Sequence, residues 1–138
     1  MAKIEQHFTR ELVGLEMSAP TAEAARLMLD KRIGAVAVRD GARVVGLVTE
    51  RDLVSCVLAG TAQGAAPIGK WVRRGLPTVP PSASESECSN LMRDHNTRHL
   101  LVEDGNQIVG IISMRDVIRL MLDEKQYLIE QLQNYIRS

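Results

Sequence analysis

The chain has 138 residues, 17 basic and 17 acidic, a formal net charge of zero, and 45% hydrophobic but only 3% aromatic residues. This is the composition of one soluble domain or two small halves sharing a core; charge balance and scarce rings argue against nucleic acid or a polybasic membrane contact as the main activity. No apolar run approaches the roughly 20 residues of a membrane span, and the N-terminal "MAKIEQHFTREL" has no apolar signal segment, so a cytoplasmic location is expected.

In chain order, a short extended piece, "VGLE", precedes "TAEAARLMLDKR", where Ala24, Leu27 and Met28 share a helical face and Thr21 is placed to cap. "AVAV" and "RVVGLV" flank "RDG" and read as a hairpin. "TERDLVSCVLAG" starts a helix with Thr49 at the cap. "GAAPIGKW" follows, matching the glycines and lysine of a phosphate-binding loop. It lacks the Ser or Thr after Lys70 and follows a helix rather than a strand, so it reads as the joint, with "IGKWVRRG" approaching what comes next. A second extended piece, "PTVP", leads to "SESECSNLMRDHN", a helix presenting Cys88, Leu91 and Met92 with Ser84 or Ser86 as cap. "HLLV" and "QIVGII" flank "EDG" as a second hairpin, and "SMRDVIRLMLDEK" begins a helix at Ser113. In the tail Met121, Leu128 and Tyr135 recur every seven residues, flanked by Leu132 and Ile136, an apolar stripe that suits a dimer contact.

These elements occur twice. Gly34–Val54 lies over Arg98–Ile118 without a gap, with identities at Val38/Val102, Asp40/Asp104, Gly41/Gly105, Val45/Val109, Gly46/Gly110, Arg51/Arg115 and Asp52/Asp116. A colinear ungapped series of this kind marks a tandem duplication.

The strongest chemical feature is a duplicated motif, Gly46-Leu47-Val48-Thr49-Glu50-Arg51-Asp52 and Gly110-Ile111-Ile112-Ser113-Met114-Arg115-Asp116. A strand ends and a helix begins at Thr49 or Ser113, where backbone N–H groups and a positive dipole end attract anions. The hydroxyl can cap the helix or meet a ribose or phosphate oxygen. Asp52 or Asp116, one turn on, can accept from both hydroxyls of a ribose diol. Aliphatic residues such as Ile112 can wall a flat base, and Arg51 and Arg115 can face a phosphate. The same Ser/Thr-x-x-Asp pattern is also an ordinary capping box, and the two readings stand side by side.

The duplicated motif, with "RHLLVEDG" before its second copy, resembles a tandem pair of CBS domains, the Bateman module, from about Leu12 to Leu122. The resemblance implies an α/β (α+β) fold of two pseudo-symmetric β-α-β-β-α repeats packed through their sheets, with a C-terminal helical extension. The expected limits are 10–62 for repeat 1, 63–72 for the linker, 73–124 for repeat 2 and 125–138 for the extension. It implies a non-catalytic regulatory module binding AMP, ADP, ATP, NAD(H) or S-adenosylmethionine between the repeats, with AMP foremost, and acting as a homodimer on a separate regulated protein. Asp52 and Asp116 then hold ribose hydroxyls, and Thr49 and Ser113 meet ribose or phosphate. Arg98 and His99 reach phosphates, a place taken in the first copy by Gly34 and Ala35. Thr78 and Val79 offer backbone contacts to the base. The Asp116 cleft is therefore expected to hold a phosphorylated ligand more tightly.

His95 and His99, at i and i+4, could face a metal together only if one helix carried both, and the strand start near Thr97 argues otherwise, so no metal site is expected; Cys56 and Cys88 read as buried thiols. A redox enzyme using NAD(H) lacks a positioned acid. A structural dimerisation module with empty clefts is the remaining alternative.

Overall fold

The computed structural model describes residues 3–60 and 64–137. The expected boundary at 62/63 and the last residue of the extension lie outside the described residues. The chain divides into two compact units: Glu11–Leu76, and Pro77–Ser138 together with Met1–Arg10.

In the first unit, β1 (Gly14–Glu16) runs parallel to β2 (Ala35–Asp40), which pairs antiparallel with β3 (Arg43–Thr49). The hairpin turns tightly because Gly41 adopts φ +64°, a left-handed conformation that glycine takes without a side-chain clash. Helices α1 (Thr21–Lys31) and α2 (Glu50–Leu58) complete the unit. Ala24 and Met28 of α1 meet Val36, Val38 and Val48 of the sheet in one apolar cluster. Thr21, expected as the cap of α1, is instead its first helical residue, and Pro20 holds the cap position. Proline's fixed φ suits an extended residue at this entry, and Thr21 N–H reaches the carbonyl of Ala66.

The second unit repeats this arrangement at a constant shift of 64 residues: α3 (Glu85–Asp94), β4 (His99–Asp104), β5 (Gln107–Ser113) and α4 (Met114–Arg137). Both hairpins carry a register irregularity at the equivalent place, Val38/Arg39 and Val102/Glu103. Beside β4 a single parallel bridge, Val79 to Val102, stands where β1 stands in the first unit. Of the two candidate caps of α3, Ser84 is the one used, its hydroxyl accepting from Glu87 N–H at 3.2 Å. Cys56 and Cys88 are both buried. The tail is not a separate element: α4 runs unbroken for 24 residues, about 36 Å at 1.5 Å per residue.

The approach to each copy packs into the other copy's unit. "IGKWVRRG", which precedes the second repeat in sequence, lies in the first unit. There Ile68 is fully buried and Arg73 bridges Leu47 of β3. Its counterpart at the N-terminus lies in the second unit, with Ile4 and Phe8 in the core and Thr9 bridging Ile111 of β5. Ile4 is a core residue (0% exposed), so Ile4→Ala is expected to destabilise the protein by about 2–5 kcal/mol. Urea denaturation measures this, and a loss below about 1 kcal/mol would show the N-terminal strap to be dispensable.

Candidate functional site

The motif residues meet where each hairpin hands the chain to its helix. In the first unit Thr49 faces Ala35 across β2 and β3, and Glu50 N–H donates to the carbonyl of Gly34 at 3.0 Å. Asp52 Oδ2 accepts from Thr49 N–H at 2.8 Å and from the Thr49 hydroxyl at 2.9 Å, while Asp52 N–H donates to Thr49 Oγ1 at 3.4 Å. This is a complete capping box.

The second unit builds the same corner with different consequences. Ser113 faces His99, and Met114 N–H donates to the carbonyl of Arg98 at 2.8 Å. Ser113 N–H donates to Asp116 Oδ2 at 2.8 Å, and Asp116 N–H to Ser113 Oγ at 3.1 Å. The Ser113 hydroxyl proton has no acceptor among the described residues, whereas that of Thr49 is held by Asp52. Thr49 is buried; Ser113 is half-buried. In both corners Asp Oδ1 accepts no hydrogen bond from the described residues, so each carboxylate caps with one oxygen and keeps the other.

The helix-start amides contribute less than the sequence suggests. Those of Ser113, Met114 and Asp116 are already engaged by the protein, which leaves recognition at this corner mainly to side chains. The side chains of Arg98 and Arg115 are exposed, and neither guanidinium forms an ion pair or hydrogen bond among the described residues; that of Arg51 stands likewise in the first unit. His99 opens β4, its N–H donating to Thr97 Oγ1 at 3.3 Å.

The remaining expected residues lie differently. Ile112 is fully buried in the core cluster. Its side chain, expected as an apolar wall for a base, is turned inward by the alternation along β5. Val79 is also in the core, and its backbone is engaged on both sides, N–H to Leu101 O at 3.1 Å and C=O from Glu103 N–H at 2.9 Å. Thr78, just before it, is exposed.

The motif glycines have a role that the sequence reading missed. A Cβ on Gly110 would collide with the Thr9 carbonyl and the Phe8 ring, and one on Gly46 with the Arg73 carbonyl and Val72. Glycine stands there because a backbone strap crosses it. The bridges Thr9–Ile111 and Leu47–Arg73 mark the crossing.

Other groups are dispersed. His7 Nε2 pairs with Asp123 at 3.1 Å, and His95 ends α3. Burial pushes the Cys88 thiol up to about 11, with Glu87 adding to the rise, so it is a protonated core group. A concavity lined by Glu5, Arg10, Pro80, Pro81, Ser82 and Asp104 contains no motif residue. It includes Asp104, at the end of β4 opposite to His99. No helix among the described residues is long and apolar enough to cross a membrane.

A family model for the CBS domain matches residues 4–59 and 68–123. The chain is 27% identical over 117 residues to the CBS domain-containing protein YhcV of Bacillus subtilis, covering 85% of this chain and 84% of that one. A structure of a protein with CBS domains from Burkholderia ambifaria is 35% identical with a TM-score of 0.76, covering 80% of this chain and 82% of that chain. The CBS domain pair of MJ0100, solved in complex with 5′-methylthioadenosine and S-adenosyl-L-methionine, shares the fold at a TM-score of 0.78 and 18% identity, covering 87% of this chain and 99% of that one.

Proposed function

The chain belongs to the CBS-domain family as a tandem pair, and from that premise we propose that it is a non-catalytic regulatory module that senses adenosine-containing nucleotides, AMP foremost. Binding takes place in clefts between the repeats and is passed to a partner protein, with the module itself a homodimer. The observation that carries this reading is the corner at Ser113. Among the described residues, one carboxylate oxygen of Asp116, the hydroxyl proton of Ser113 and the guanidinium groups of Arg98 and Arg115 have no partner, and all belong to one strand-to-helix junction. The carboxylate oxygen suits a ribose hydroxyl, and the guanidinium groups suit a phosphate. The first unit offers Asp52, Thr49 and Arg51, with Gly34 and Ala35 in place of Arg98 and His99 and with the Thr49 proton already held. The phosphorylated ligand therefore favours the Asp116 corner.

The ligands of MJ0100 support adenosine as the common element. They also favour S-adenosylmethionine as a second reading for this chain, and NAD(H) shares the same adenosine half. Against S-adenosylmethionine stand the two arginines, which would face a cationic sulfonium rather than a phosphate.

A thermal-shift series separates these readings. Ligand at 100 times its dissociation constant stabilises the fold by about 2.7 kcal/mol, a rise of several degrees for a chain of this size. AMP, ADP and ATP are expected to give that rise and guanosine nucleotides none. A rise with S-adenosylmethionine alone would transfer the assignment to that ligand, and no rise with any would leave a structural dimerisation module.

A further inference from the structure

We infer that Thr97 is a positioning residue for the second corner, its hydroxyl fixing the start of β4 so that Arg98 and His99 meet the phosphate of a bound nucleotide; this rests on the nucleotide reading above. The two copies share one backbone course at this place. Arg32 and Asn96 both turn through the left-handed region, at φ 54° and 50°. The next N–H then returns to the helix, Ile33 to the Met28 carbonyl at 3.0 Å and Thr97 to that of Met92 at 2.9 Å. On this common frame the side chains differ, Ile33-Gly34-Ala35 in the first copy and Thr97-Arg98-His99 in the second. Ile33 packs against the apolar cluster of its unit. Thr97, 6% exposed, instead donates from its hydroxyl to the His99 carbonyl at 3.1 Å and accepts from the His99 N–H at 3.3 Å.

The hydroxyl stands in for a neighbouring strand. Val79 N–H reaches the Leu101 carbonyl at 3.1 Å, and the Val79 carbonyl accepts from Glu103 N–H at 2.9 Å. Alternation along β4 turns the backbone groups of His99 to that same edge. The residue that would continue the pairing is Pro77, which has no N–H to give. One oxygen reaches both backbone groups of a single residue only where that residue is extended, so the contact fixes the backbone of His99. Arg98 is then held from both sides. Its own carbonyl accepts from Met114 N–H at 2.8 Å, and the residue after it is tied to Thr97, while its guanidinium has no partner among the described residues. Thr97 itself is buried, and its hydroxyl proton is committed within the chain, so it acts on a ligand through its neighbours.

Calorimetric titration of the full chain with AMP and with adenosine tests this, because adenosine lacks the phosphate that Arg98 and His99 meet. Thr97→Val keeps the branched shape and removes the hydroxyl, and Ile33 on the same backbone course shows that an apolar side chain folds there. This variant is expected to weaken AMP about 5- to 10-fold while adenosine changes by less than about 2-fold. Thr97→Ser keeps the hydroxyl and should bind AMP as the wild type does. A merely structural threonine would show in urea denaturation as lost stability, with both ligands weakened alike or neither weakened. Either pattern would overturn the positioning role and leave the nucleotide reading standing, as would a serine variant as weak for AMP as the valine one. A wild type that binds neither ligand would overturn the nucleotide reading itself, and this inference with it.

Discussion

Asp116→Ala and Asp116→Asn are expected to agree in AMP binding and to differ in stability. Both remove the negative charge that a ribose diol needs, and a hydrogen bond to a charged group is worth about 1.5–3 kcal/mol, so each should weaken AMP roughly 10- to 100-fold by calorimetry. Only alanine removes the acceptor for Ser113 N–H, now 2.8 Å from Oδ2, at about 1 kcal/mol of stability by analogy with lost helix caps. The asparagine carbonyl keeps that contact. The pair separates the two roles of one carboxylate: a stability loss in the alanine variant with unchanged AMP affinity in both would make Asp116 a cap and nothing more. Asp52→Asn should affect AMP less, since its corner lacks counterparts of Arg98 and His99.

Gly110→Ala is expected to be the most damaging single methyl in the second unit. Its Cβ meets the Thr9 carbonyl, a backbone atom that no rotamer change can move aside, and the Phe8 ring. Relief requires the strap to lift, which exposes the buried side chains of Ile4 and Phe8, worth about 1.5–3 kcal/mol each. A destabilisation of about 3 kcal/mol or more should follow in urea denaturation. Gly105→Ala is the control. Gly105 sits at φ +65° in a turn with nothing within 4 Å of an added Cβ, so only the left-handed backbone penalty of about 1–2 kcal/mol applies. Equal losses in the two variants would mean that the strap yields easily and does not clamp β5.

The comparison of corner and strap shows what kind of information a sequence holds. Gly110 and Asp116 belong to one seven-residue motif, in which the sequence reading gave a ligand role to Asp116 and no role of its own to Gly110. Asp116 keeps an oxygen for that use while its partner oxygen forms the capping box weighed against it. Gly110 answers to a carbonyl more than 100 residues away in the chain. Ile112 shows the same divide: its apolar character was legible, but its inward direction became definite only once β5 was paired and the core closed around it. The Ser84 cap, by contrast, was one of two serines placed one turn before the apolar face of α3, so local spacing nearly decided it.

The sequence by itself determined the duplication, both hairpins, the helix starts at Thr49 and Ser113, and the CBS-pair family. Each depends on residues close together in the chain: an Asp-Gly turn, a hydroxyl three residues before an acid, an apolar period. Only the tertiary structure decided that each approach segment belongs to the other copy's unit, that the motif glycines yield to a crossing backbone, and that the helix-start amides are largely engaged. The physical reason is that Ile4 and Ile68 are equally apolar wherever they go. Which core accepts them depends on cavities and free sheet edges that exist only after distant strands have paired.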